Sequence, residues 1–167
     1  MATGAAPHVR GLRLTTVSAK AVRELRSAEA AAAGCEQHWS NVLATETRDP
    51  RLLPRPGRVP LPSQVRLCVY RVPTQQQGTP QPAGTFEYGL LLPPQQRAAI
   101  ERTLALSPPA KQCSAAADRF AVLLDATAMG DVINVELDHC RRVLATRLHG
   151  PSILAQADTA LIKLLSS

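Results

Sequence analysis

Arg119-Phe120-Ala121-Val122-Leu123-Leu124-Asp125, a turn containing Met129-Gly130-Asp131, and then Val132-Ile133-Asn134-Val135-Glu136-Leu137-Asp138 read as two β-strands joined as a hairpin. In the second strand Ile133, Val135 and Leu137 point one way and Asn134, Glu136 and Asp138 the other. The spacing predicts one buried and one solvated face, and hence an antiparallel sheet. Upstream, Val65-Arg66-Leu67-Cys68-Val69-Tyr70-Arg71-Val72 alternates in the same way and Pro73 ends it. Thr85 to Leu92 is expected to be its antiparallel partner, across a loop at Thr74 to Gly84 that is rich in Gln, Pro and Gly. Arg142 to Thr146 can add a fifth strand.

Helices flank these strands. One is predicted from Thr16 or Ser18 to about Ala33, with Val22, Leu25, Ala28 and Ala32 on one stripe and Lys20 four residues before Glu24. Its apolar face is thin, so it needs tertiary contact. A second opens at Pro93-Pro94, where proline suits the first turn, and stops at Ser107-Pro108-Pro109. A third is expected to begin at Gly150-Pro151, with Leu154, Ala157, Leu161, Leu164 and Leu165 on its stripe. The economical architecture is α+β: an antiparallel sheet of four to five strands, helices mainly over one face, stapled by disulfides. Residues 1–64 form an arm, helix and connector, in which Asp49 to Pro62 carries five prolines in 14 residues. Residues 65–167 form the domain, with the segment around Cys35 and Trp39 docked on it.

The chain has 167 residues, 45% of them hydrophobic but only 3% aromatic, and 26 are alanine. Such a composition excludes wholesale disorder and disfavours aromatic cages and base-stacking platforms. No apolar run approaches the roughly 20 residues of a membrane-spanning helix. The formal net charge is +6, and 16 of the 19 basic residues are arginine. Arg48, Arg51, Arg55, Arg58, Arg66 and Arg71 form the densest basic stretch, a candidate strip for nucleic acid or an anionic envelope polymer. The plainer reading is an arginine-rich solvated loop.

Four cysteines, Cys35, Cys68, Cys113 and Cys140, are widely spaced with no C-x-x-C pair, a poor zinc pattern and a reasonable disulfide pattern. Cys113 precedes one strand of the second hairpin and Cys140 follows the other, so a bridge between them is sterically reasonable. Closing that loop of roughly 28 residues contributes about 3 kcal/mol through the unfolded state. Cys35 and Cys68 are then left to each other. Bridged cysteines imply an oxidising compartment. Met1 to Leu14 nevertheless lacks the apolar stretch of an export signal. Ala32-Ala33-Gly34-Cys35 looks like the end of a lipoprotein processing site, but Glu24, Arg26 and Glu29 stand where the apolar core of a signal belongs, and the segment reads as helix. An extracytoplasmic domain without its leader, or a misplaced start codon, reconciles the two.

Among chemical candidates, Asp138-His139-Cys140 is the foremost, since a histidine beside a cysteine can favour the thiolate. Adjacent strand residues face opposite ways, so a bridged Cys140 beside a structural His139 is the simpler expectation. Reduced, Cys113, Cys140 and His139 offer metal ligands at a spacing that matches no common zinc arrangement. Glu136 and Asp138, two apart on one strand face, bring carboxylates within roughly 7 Å and suggest a hydrolase or metal enzyme with His139. A solvated strand face is the plainer account. There is no G-x-S-x-G elbow, P-loop or dinucleotide fingerprint. His8, His38 and His149 are isolated. No catalytic residue, metal or cofactor is assigned.

Cys35-x-x-x-Trp39, the Val65-to-Tyr70 strand, Cys113 before a strand, and Val135-Glu136-Leu137-Asp138-His139-Cys140 before a short apolar segment and last helix resemble an uncharacterised extracytoplasmic domain recurrent in actinobacterial envelope proteins. The resemblance covers roughly residues 35 to 165. It implies an exported domain, secreted or anchored in the envelope, with structural disulfides and no known activity. The corresponding expectation for this chain is a non-enzymatic binding or structural domain, whose partner is an envelope protein or an anionic polymer.

Overall fold

The computed structural model describes residues 18–43, 59–149 and 151–166. Among these residues it contains a seven-stranded antiparallel sheet, three α-helices and one 3-10 turn at Thr74–Gln76. The strands are β1 (His38–Ser40), β2 (Val65–Arg71), β3 (Ala83–Leu91), β4 (Arg119–Asp125), β5 (Val132–Glu136), β6 (Arg142–Thr146) and β7 (Ile153–Gln156). The helices are α1 (Ala19–Ala33), α2 (Pro94–Ala105) and α3 (Thr159–Ser166). Strand order is β1-β3-β2-β4-β5-β6-β7. The α+β class therefore holds, while the expected four to five strands fall short by the two outermost.

Both extra strands are short and lie at the edges. β1 is a triplet of His38, Trp39 and Ser40 whose extended form comes from pairing with β3, Trp39 opposite Gly84. β7 lies within the stretch expected to be the last helix. Ile153 and Ala155 are buried while Leu154 and Gln156 are half-buried, the alternation of a strand, and they pair with β6. The helix starts only after Asp158, whose side chain accepts the Leu161 amide at 2.7 Å and closes the first turn. Leu154 and Leu161 thus belong to two elements, and their seven-residue spacing does not report one helical face.

Alternation along the central strands gives each face of the sheet its own core. Val65, Leu67 and Val69 of β2 share the first face with Leu123, Val135 and Ala145, beneath Ile100 and Leu104 of α2 and Leu161 and Leu165 of α3. Val59 and Leu61 join this core from before β2. Tyr88 Oη and Gln96 Nε2 donate to the Leu165 and Leu164 carbonyls, both at 2.8 Å, and fasten α3 to β3 and α2. The second face holds Cys68, Tyr70, Phe86, Phe120 and Val122 under Ala30 and Cys35. Tyr70 stacks on Phe120 with centroids 5.4 Å apart and meets Phe86 edge-on at 6.3 Å. Trp39 is half-buried against this cluster, and Tyr88 against the first. Gly84 makes the Tyr70–Phe120 stack possible, because a Cβ there would lie 2.7 Å from the Phe120 ring.

Both disulfides are present. Cys35–Cys68 ties the end of α1 to β2, and Cys113–Cys140 ties the segment before β4 to the turn after β5, with Cα–Cα distances of 5.9 and 5.7 Å. No described helix is long and apolar enough to cross a membrane.

Candidate functional site

The chemistry-bearing residues of the late hairpin gather at one corner of the sheet, beside Cys113–Cys140. β5 ends at Glu136, and Asp138 to Arg141 form a tight turn in which the Arg141 amide donates to the Asp138 carbonyl at 3.1 Å. His139 and Arg141 take φ values of 47° and 50°, the left-handed region that lets so short a link reverse the chain into β6. β5 does not continue through Asp138, and the two carboxylates of the expected pair have different partners. Asp138 accepts the Asp118 and Arg119 amides at 2.9 and 3.0 Å and anchors the start of β4.

Glu136 does not lie on a wet face. It is fully buried, and Arg142 is 5% exposed. Val135 pairs with Val143, which brings Glu136 and Arg142 to the same level of neighbouring strands. The guanidinium grips the carboxylate with two bonds, Nε to Oε2 at 2.8 Å and Nη2 to Oε1 at 2.6 Å. Arg142 Nη1 also donates to the Cys113 carbonyl at 3.3 Å. The expectation of one buried and one wet face fails because the chain between α2 and β4 crosses this side of the sheet and the ion pair lies under it. Such a pair is suited to fixing strand register, since each charge is held by the other.

His139 remains exposed. Its Nε2 lies 3.2 Å from Asp118 Oδ2 and 4.0 Å from Asp138 Oδ1. The Asp118 hydrogen bond, reinforced by the Asp138 charge, raises its pKa above the ordinary histidine value. Asp118 is held in turn by Gln77 Nε2 at 3.0 Å. Among the described residues no three His, Cys, Asp or Glu side chains are placed to hold a metal ion.

Of the candidate basic strip, Arg48, Arg51, Arg55 and Arg58 lie outside the described residues. Arg66 and Arg71 are five positions apart on β2 and so point to opposite faces. Arg66 Nη1 donates to the Gly34 carbonyl at 3.2 Å on the second face. Arg71 sits across from Arg119, two like charges in register. A bulge resolves the repulsion: β3 has one extra residue between the partners of Val69 and Tyr70, and this residue is Glu87. Its carboxylate accepts from Arg119 Nε at 2.8 Å and Arg71 Nη2 at 3.1 Å.

Partial burial pushes the Glu87 carboxyl up, but the hydrogen bonds and charges of Arg119 and Arg71 outweigh it and hold the pKa below the ordinary value. A lowered carboxylate pKa adds stability above the unfolded value, and that contribution is lost as pH falls through the folded one. Glu87→Gln is therefore expected to cost about 1 kcal/mol at pH 7, with the gap from the parent closing in acid. Urea unfolding at pH 7 and pH 3 measures both, and an equal gap at the two pH values excludes the charge as its cause.

Arg142, Asp118 and Glu87 are the participants that the sequence reading did not single out. Glu136 and Arg142 flank a short turn with opposite charge, which is a usable signal. Glu87 carries none, because the bulge is set by pairing. Compared with known proteins, the chain matches no family model, no curated protein and no solved structure.

Proposed function

We propose that this chain is a non-enzymatic binding or structural domain that works outside the cytoplasm, as the resemblance to actinobacterial envelope domains implies. The observation that supports this reading is the pairing of all four cysteines into two bridges, each fastening a segment with little buried apolar surface to the sheet. Disulfides persist in oxidising compartments and are reduced in most cytosols. The local chemistry agrees: Glu136 is neutralised by Arg142, Asp138 is occupied by two backbone amides, and Cys140 is bridged. The class of partner in this reading is an envelope protein or an anionic polymer.

Alkylation of protein taken from its native compartment, followed by mass measurement with and without reductant, tests the compartment. The expected result is four cysteines protected until reductant is added. Four free thiols at the outset overturn the reading.

Polyanion binding through Arg48 to Arg71 is the second reading, favoured by the net charge of +6. It requires affinity for duplex DNA or an anionic polysaccharide that falls steeply with salt. Arg66 and Arg71 are each engaged within the fold, so that activity would rest on the four earlier arginines. No binding at low ionic strength removes it.

A further inference from the structure

Residues 107–118 run from the end of α2 to the start of β4 as a strap without regular secondary structure. It follows the outer edge of β7 before reaching the turn after β5. The Gln156 amide donates to the Pro108 carbonyl at 2.8 Å, Pro109 makes an isolated bridge to Ala155, and the Lys111 amide donates to Gln156 Oε1 at 3.3 Å. Arg142 then reaches the Cys113 carbonyl. Ser107 and Ala117 are buried at the two ends, but nothing from Pro108 to Ala116 is. The strap therefore has no apolar anchor along its middle. Its one covalent tie is Cys113–Cys140.

The two disulfides differ in access. Cys35 and Cys68 are both buried, and the β3 backbone lies so close that a Cβ on Gly89 would meet Cys35 Sγ at 2.6 Å. Cys113 is exposed and Cys140 is buried. Thiol exchange requires an attacking thiolate to reach a sulfur, so an external reductant meets the Cys113 side first.

We propose that Cys113–Cys140 is a reducible latch: a dithiol reductant opens it selectively and frees the strap, uncovering the Glu136–Arg142 pair and the outer edge of β7. One thiolate of the dithiol attacks Cys113, the S–S bond breaks, and Cys140 leaves as a thiolate that takes up a proton. The second thiol of the reductant then attacks the mixed disulfide and releases Cys113. Two electrons and two protons pass to the protein, and the reductant departs as its own disulfide. The opened strap remains attached at α2 and at Asp118, whose amide is held by Asp138. The inference goes beyond the scaffold reading and stands or falls without it.

The test uses the full oxidised chain under graded dithiothreitol, quenched, alkylated and mapped by peptide mass, with amide exchange recorded in parallel. Cys113 and Cys140 are expected to become alkylated at least about tenfold faster than Cys35 and Cys68. Amide exchange at Lys111 and Gln156 accelerates at the same stage, while that of Cys68 and Val122 does not change. Simultaneous release of all four thiols, earlier release of Cys35 and Cys68, or unaltered exchange at Gln156 overturns the proposal. The double variant Cys113→Ser/Cys140→Ser supplies a second measurement. It is expected to fold with Cys35–Cys68 intact and to show fast exchange at Gln156 without reductant. Failure of that variant to fold also overturns the latch, because the bridge would then be part of the fold itself.

Discussion

Arg142→Met is expected to destabilise the domain by about 3–5 kcal/mol, because it leaves Glu136 as an uncompensated charge in a fully buried position. The methionine replaces the aliphatic stem of arginine well enough, so the loss is electrostatic and not a matter of volume. Both guanidinium bonds to the carboxylate disappear, leaving it only the residue 142 backbone amide at 3.2 Å, and the Cys113 carbonyl loses its donor. Against a total stability of about 5–15 kcal/mol for an ordinary domain, this one change removes a large share. The paired variant Glu136→Gln/Arg142→Met is expected to recover much of the loss, since it removes the charge along with its partner. Chemical denaturation of the parent, both single variants and the double variant gives the coupling directly. A cost below about 1 kcal/mol for Arg142→Met would mean that water already reaches Glu136 and that the pair is not buried in solution.

The same pair marks where reading the sequence stops. Alternation in β2, β4 and β5 is plain, and together with the prolines at 73, 93 and 94 it places the elements between Val65 and Thr146, although β5 stops at Glu136 and not at Asp138. Alternation also carries an assumption, that polar residues at every second position face water. Asn134 and Glu136 break it, both being buried. A sheet covered on two sides accepts a charged group on an inner face when a partner of the right charge stands on the next strand, and Arg142, at the start of the fifth strand expected from the sequence, is that partner for Glu136. β7 was concealed for another reason. Its four residues adjoin a helix of similar composition, and only Ala157 and the capping Asp158 separate the two in the sequence. β1 lies beyond any pattern, since three residues become a strand only when β3 offers an edge. The cysteines were the most legible feature. Cys113 and Cys140 bracket a hairpin, and pairing its strands brings its ends together whatever the rest of the chain does.

Removing the other bridge by Cys35→Ser/Cys68→Ser is expected to cost about 3–4 kcal/mol for a loop closed over 33 residues, and to release α1 from the sheet. α1 is well begun and well ended: Ser18 caps it by accepting the Ala21 amide, and Gly34 closes it in the left-handed conformation at φ 68°. What it lacks is burial. Of its 15 residues only Ala30 is buried, whereas Val22 and Leu25 are 38% and 60% exposed. An isolated helix of this length is marginal in water, so its persistence depends on Cys35, one residue beyond the cap, being held against β2. Arg66, which donates to the Gly34 carbonyl on the exposed surface, is a weak substitute. The loss therefore divides into a global part, from the freed unfolded chain, and a local part confined to α1. Amide exchange from Ala21 to Ala33 is expected to approach that of an unstructured peptide while β2 and β4 stay protected, and circular dichroism is expected to lose about one helix of 15 residues. Equal acceleration in β2 would contradict this division, because it would make the Cys35–Cys68 bridge a support of the Tyr70, Phe86 and Phe120 core and not the tether of a helix.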